Sequence, residues 1–195
     1  MRKVILQEFV TIDGFAADQN GGMSFFDSFH GKPRQDLDED TMRFMDTIDT
    51  ILLGAVTYRL FLDFWPTATT AMDPIADQLN ATPKIVFSQT LDRAPWGKWA
   101  AAKVVKQSAA EEITRLKAQP GKNMVLWGSI SLAQSLMKAG LIDEYQLRVC
   151  PTVLGKGRPL FPNDLKPFNL TPCTTKIYDS GLVLLTYQPM GKKRK

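Results

Sequence analysis

At three places in the chain an apolar run ends in glycine or hydroxyl residues. Leu52–Leu53–Gly54 leads into Ala55-Val56-Thr57-Tyr58, Phe87 is followed by Ser88-Gln89-Thr90, and Met124–Trp127 ends at Gly128-Ser129-Ile130-Ser131. A turn of this kind, at the carboxyl end of a strand and the start of a helix, leaves backbone N–H groups free and adds the positive end of the helix dipole. The chemistry that fits is the binding of an anion, above all a phosphate. A glycine after a strand is also an ordinary turn, and no GxGxxG is present. Three such ends in one small domain nonetheless point to a dinucleotide held at the carboxyl edge of a sheet.

Reactive side chains are few. Asp13, before Gly14, is the candidate catalytic acid; an Asp in that position also serves as a turn residue bonded to its own backbone. His30, the single histidine, lies in a loop beside aromatic residues and reads as solvent-facing. Asp38, Glu39 and Asp40 suit the positive end of a helix. Phe61, Phe64 and Trp65–Pro66 could wall a planar ligand or pack a core. Cys150 and Cys173, far apart in sequence, read as isolated buried thiols. With no His/Cys/carboxylate cluster, a metal site or a Ser–His triad is hard to assemble. An enzyme of this composition would work without a metal, through a bound organic cofactor.

The elements that must position these groups alternate. Strands are expected at Val4–Ile12, Thr50–Leu53, Lys84–Ser88, Val104–Lys106, Met124–Trp127 and Tyr145–Cys150, and a closing hairpin at Ile177–Tyr178 and Leu182–Gln188 around Asp179-Ser180-Gly181. Helices are expected at Asp38–Asp49, from Val56, from Asp73–Pro74 to about Asn80, from the capping box Ser108-Ala-Ala-Glu111 to about Ala118, and from Ser129 to Gly140. This order describes an α/β fold with a mixed, mostly parallel sheet covered by helices on both faces.

The chain has 195 residues and no internal repeat or linker, so a single domain over residues 1–188 with a basic disordered tail at 189–195 is expected. The formal charge of +4 equals the contribution of Lys192, Lys193, Arg194 and Lys195, which leaves a body close to neutral and poorly suited to nucleic acid. No apolar run approaches the ~20 residues of a membrane span. The N-terminus reads as a first strand and not as a signal peptide, and a cytoplasmic location follows as the expectation.

Several motifs resemble a known family. Thr11-Ile-Asp-Gly14-Phe-Ala-Ala17, Leu52-Leu-Gly54-Ala-Val-Thr57-Tyr58, Lys84-Ile-Val-Phe-Ser88-Gln-Thr90-Leu91, Gly140-Leu-Ile-Asp-Glu144 and Leu154-Gly-Lys-Gly-Arg-Pro-Leu-Phe161 resemble, in order, the dihydrofolate reductase-like proteins. They are most similar to the C-terminal reductase domain of the bifunctional riboflavin-biosynthesis deaminase/reductase, over residues 2–188. The resemblance implies an eight-stranded sheet with a C-terminal antiparallel hairpin, NADPH as hydride donor, a small, planar substrate and a homodimer. It implies a 5-amino-6-(5-phosphoribosylamino)uracil reductase-like activity, or a nucleotide-binding homologue without turnover. By the same resemblance, Gly54, Thr57 and Tyr58 hold cofactor phosphate, Ser88 and Thr90 lie near the adenosine 2′-phosphate, Gly128, Ser129, Ile130 and Ser131 cradle the pyrophosphate, and Asp13, Gly14 and Ala16 flank the nicotinamide. The chain departs from the family pattern at Ala55, where dihydrofolate reductases carry a basic residue, and at Trp127–Gly128, where they carry Gly–Gly. The riboflavin reductases place an acidic residue at Leu126 and a basic one at Phe15, which implies a substrate other than theirs.

Overall fold

A computed structural model describes residues 1–29 and 31–191; His30 and Lys192–Lys195, and with them the readings of the lone histidine and the basic tail, lie outside the described residues. The central layer is a nine-stranded sheet in the order β10-β11-β8-β1-β7-β3-β4-β6-β5. Its parallel body consists of β8 (Glu144–Cys150), β1 (Val4–Thr11), β7 (Asn123–Trp127), β3 (Ile48–Gly54), β4 (Lys84–Phe87) and β6 (Trp99–Val105). Antiparallel strands close both edges: β5 (Ala94–Trp96) on one side, β11 (Val183–Pro189) and β10 (Leu170–Ile177) on the other. A separate ribbon pairs β2 (Phe15–Ala17) with β9 (Arg158–Pro159).

The parallel body forms because its strands are apolar on both faces. In β1 seven of the eight residues are buried, and in β3 five of seven. Such strands need cover on each side. One face packs against α4 (Ala109–Lys117) and α5 (Ile130–Lys138), joining Leu6, Leu52, Leu126, Ile113, Ala133 and Leu136 in one core. The other packs against α1 (Gln35–Met45), α2 (Ala55–Leu62) and α3 (Ala76–Ala81), around Met45, Leu53, Tyr58, Leu79, Trp96 and Val125. Among the described residues no helix is long and apolar enough to cross a membrane.

The mixed sheet with its C-terminal hairpin is the expected architecture, and the details differ for physical reasons. The sheet has nine strands where eight were implied, because Trp96-Gly97-Lys98-Trp99 turns tightly, with Gly97 at φ 55°, and pairs β5 back onto β6. Strand β10 starts at Leu170, well before Ile177: it is an exposed edge, so β-branched threonines replace the apolar alternation, and Pro172 is tolerated beside a bulge. Cys173 lies on this edge and is exposed, not buried; Cys150 is buried, and burial pushes its thiol up to about 12. Helix α1 spans Gln35–Met45 instead of Asp38–Asp49, since Ile48 continues the three-residue spacing by coincidence and belongs to the core under β3. Asp73 caps one turn by accepting the Ile75 N–H, and α3 proper begins only at Ala76.

Two charged side chains fasten the scaffold. Asp143, in the loop before β8, accepts the Val4 N–H at 2.9 Å and pairs with the buried Lys117 of α4. The acid of the Gly-Leu-Ile-Asp-Glu motif is thus a structural tie. Lys84 is 5% exposed, and its Nζ donates to the carbonyls of Leu79, Asn80 and Thr82 while lying 4.6 Å from the Trp96 ring centre. It caps the C-terminal end of α3. Lys84→Met should leave three carbonyls unpartnered and lower stability by about 2–4 kcal/mol, read as a shift in urea midpoint.

Candidate functional site

Strand order fixes where a ligand can enter. From β3 the chain leaves through α2 towards β4; from β7 it leaves through α5, past β1, to β8. The two helices therefore cover opposite faces, and β3 and β7 form the point where the sheet's winding reverses. Ligands of open α/β sheets collect outside the carboxyl ends of strands at such a point. A cleft of about 1380 Å³ opens there, lined by Gly54–Thr57, Ser88, Trp127–Leu132 and Gln7–Phe9 of β1.

Both helix N-termini reach this cleft without a side-chain cap. The N-cap of α2 is Gly54 and that of α5 is Ser129, and neither makes a side-chain cap hydrogen bond. The first N–H groups of each helix have no intrahelical acceptor. Ser129 occupies the left-handed region (φ 60°, ψ 48°), which is uncommon for a residue with a Cβ. Hydrogen bonds hold it there. Its N–H donates to Thr57 Oγ1 (2.7 Å), its Oγ accepts from the Gly54 N–H (2.7 Å), and its Oγ donates to the Trp127 carbonyl (3.1 Å). The two turns, at the ends of the adjacent strands β3 and β7, are thereby locked together at the point of reversal. Gly128 (φ 53°) completes the lock: a Cβ there would lie 2.9 Å from Thr57 Cγ2 and 3.0 Å from Thr57 Oγ1.

Alternation along β1 divides the cleft floor. Gln7 and Phe9 face α1 and α2: Trp127 Nε1 donates to Gln7 Oε1 at 2.8 Å, and the Arg148 guanidinium carbon lies 5.2 Å from the Phe9 ring centre. Leu6 and Val10 belong to the core under α5, which puts Glu8 between them on that side. Glu8 is 4% exposed. Its Oε1 accepts the Phe9 N–H, and its Oε2 has no hydrogen-bond partner. Burial raises its carboxyl to about 8, against a smaller lowering by the Phe9 N–H, so it holds its proton at neutral pH. Arg148, also buried, donates from Nη2 to Thr41 Oγ1 (2.9 Å) and leaves Nε unpartnered.

The structure gathers most of the sequence-predicted residues. Ala16, Gly54, Thr57, Ser88, Gly128, Ser129, Ile130 and Ser131 line the cleft; Asp13, Gly14, Tyr58 and Thr90 do not. Tyr58 is 3% exposed and donates its hydroxyl to the Pro95 carbonyl, packing under the site. Thr90 contributes its N–H to Ser88 Oγ, which also accepts the Leu91 N–H. Asp13 takes the turn role: it accepts from the Thr11 hydroxyl (2.6 Å) and from the N–H groups of Leu154 and Gly155, tying in the Gly-punctuated loop. Those bonds, the Thr11 hydroxyl first, hold its carboxyl below the usual range, which suits an ionised anchor better than a proton donor. Gly14 holds the same turn, with its carbonyl accepting the Leu160 N–H.

Two inferences from the family departures change. Leu126 is fully buried beneath α5 and does not reach the cleft, so its apolar character does not bear on the ligand. Phe15 also lies outside the lining. Trp127 does face the cleft, with Phe61 at 6.4 Å between ring centres and Phe64 and Trp65 beyond. Sequence reasoning passed over Glu8 and Arg148. The signal was present for Glu8, a charge inside the apolar strand VILQEFVT; Arg148 falls in the polar phase of the alternating strand EYQLRVC, so only the fold shows it buried. Among the described residues no group of His, Cys, Asp or Glu could hold a metal ion.

Comparison with known proteins agrees with this fold. The uncharacterized protein YyaP of Bacillus subtilis (strain 168) is 31% identical over 195 residues, covering 97% of this chain and 96% of YyaP. A protein of Shewanella sp. PV-4 with a provisional riboflavin-biosynthesis name superposes with a TM-score of 0.77 at 22% identity, over 97% of this chain and 99% of its own. Dihydrofolate reductase from Enterococcus faecalis, solved in complex with NADP(H), shares the fold with a TM-score of 0.59 at 14% identity, over 96% of each chain. The RibD C-terminal domain profile matches residues 2–184, and the chain belongs to that family.

Proposed function

We propose that this protein is an NADPH-dependent oxidoreductase that reduces a C=N or C=O group of a small, planar substrate to CH–NH or CH–OH, as a cytoplasmic homodimer of one domain with a short basic tail. The observation that carries this reading is the pair of uncapped helix N-termini locked around Gly128 and Ser129. The residues present fit the cofactor. The free N–H groups at the starts of α2 and α5 suit the pyrophosphate, and Gly128 keeps open a cradle that a Cβ would fill. Ser88, which lines the cleft just after β4, would lie near the adenosine 2′-phosphate. When bound, NADPH supplies a hydride from its nicotinamide ring.

The chain's own residues would do the rest. Phe61, Phe64 and Trp127 give the cleft apolar walls that exclude water and stack a flat ring. Glu8, protonated and with Oε2 unpartnered, is the proposed proton donor to the atom beside the reduced carbon. Asp13, anchored and ionised, is not given that role.

A second reading, a nucleotide-binding homologue without turnover, is favoured by Trp127, which faces the cleft at the position where dihydrofolate reductases have glycine. Titration with NADPH and NADH, followed by tryptophan fluorescence, tests both readings, and no response to either nucleotide would sink them together. If NADPH binds, its oxidation across a panel of pterins, pyrimidines and quinones separates reductase from binder.

A further inference from the structure

The α1 side of the cleft floor holds a cation that no carboxylate among the described residues pairs directly. Arg148 is 7% exposed on β8, between the Phe9 ring and the Thr41 hydroxyl, with its Nε unpartnered. The carboxylates nearest to it are engaged elsewhere. Asp40 pairs with Lys176 and Arg43, while Asp38 and Asp73 pair with Arg34 at 3.2 and 3.8 Å. Among the described residues none lies within ion-pair range of Arg148. Burial lowers its guanidinium to about 10, which still leaves it charged at neutral pH.

A buried, unpaired charge is costly to a fold, and such a group is retained where a ligand supplies the missing partner. The surroundings indicate what kind. Phe9, Phe26, Leu37 and Leu182 line this end of the cleft, the lining carboxylates Asp38 and Asp73 are taken up by Arg34, and Lys32 and Arg158 add positive charge. An oxyanion on an apolar body would meet both the charge and the walls. A planar guanidinium is also well shaped to fork onto a carboxylate or a phosphate.

We propose that Arg148 is the receptor for an acidic group, a carboxylate or a phosphate, on the molecule that enters the cleft opposite Glu8. This assignment deepens the reductase reading, because it makes the substrate an anion and fixes which end of it lies against β8.

The test uses the full-length protein and two probes, benzoate and inorganic phosphate, titrated separately by calorimetry and thermal unfolding. Wild type should bind at least one of them, benzoate marking a carboxylate receptor and phosphate a phosphoryl receptor. Arg148→Met should weaken that binding at least tenfold while unfolding at the same or a higher temperature, because an uncompensated charge has been removed. If the Met variant does not fold, Arg148→Lys keeps the charge without the fork and should show intermediate binding. Equal binding to wild type and variant would overturn the proposal, since the anion would then sit elsewhere, for example at the helix N-termini. So would failure of wild type to bind either probe. NADPH titration of the same variant keeps the two readings apart. It should match wild type, whereas loss of NADPH binding in wild type itself would sink the reductase reading and leave the anion result standing.

Discussion

Glu8→Gln is expected to gain stability relative to wild type as pH rises from 5 to 8. The folded protein holds the Glu8 proton up to about 8, whereas the unfolded chain releases it near the ordinary 4.5. Between those values the folded state binds more protons, so wild-type stability falls with rising pH at roughly 1.4 kcal/mol per unit. The effect is largest above pH 8 and vanishes below about 4.5. Glutamine cannot ionise, and its amide oxygen can still accept the Phe9 N–H. The difference between the two proteins should therefore reach several kcal/mol at pH 8, on the order of the full separation of the two values. Urea midpoints at pH 5 and pH 8 measure it, and parallel pH dependences would show that Glu8 is not held neutral. If Glu8 also supplies the proton, the same variant should reduce substrate roughly 10²–10⁴-fold more slowly with NADPH affinity unchanged.

Gly128→Ala should remove most of the NADPH affinity, by about 100-fold, and cost about 1–3 kcal/mol of stability. The glycine has a φ of 53°, and the added methyl would meet Thr57 at 2.9 Å. Thr57 Oγ1 accepts the Ser129 N–H that fixes the start of α5, so moving Thr57 releases the turn that presents the free amides. Thr57→Val offers a gentler version: the shape is kept, the acceptor is lost, and the partly buried Ser129 N–H loses its partner at a cost of about 1 kcal/mol. Calorimetric titration with NADPH, with circular dichroism to confirm folding, decides the matter. Affinity within twofold of wild type in Gly128→Ala would mean that the cradle is not where the dinucleotide binds.

Much of the cofactor side was legible in the sequence, because turns advertise themselves locally. Gly54-Ala-Val-Thr57 and Gly128-Ser-Ile-Ser131 each combine a strand end, a small residue and a hydroxyl, and the fold brings them within hydrogen-bonding distance of each other. Tyr58 follows the same turn, but the helical twist carries it round to the core. Leu126 shows a different limit. In a parallel strand buried on both faces, apolar residues occupy every position, so periodicity does not say which face opens on a ligand. Register decides it: Leu126 aligns with Leu6 and Leu52 under α5, and its neighbour Trp127 turns to the cleft. Asp13 was ambiguous from the start, as Asp–Gly pairs are, and the bonds it accepts from Leu154 and Gly155, remote in sequence, show the turn role that the sequence left open. Glu8 carried a plain signal, a charge inside an apolar strand, whereas Arg148 follows the polar alternation of β8 and its burial comes from the packing of Phe9 and Thr41 over it.

The central claim is that a dinucleotide lies across the reversal point with its pyrophosphate at the starts of α2 and α5. A crystal structure of the protein grown with saturating NADPH tests it most directly. Pyrophosphate oxygens are expected within hydrogen-bond distance of N–H groups in Ala55–Thr57 or Ile130–Leu132, with the nicotinamide further along the same cleft. A pyrophosphate bound elsewhere, or a cleft that stays empty at saturating NADPH, would contradict it.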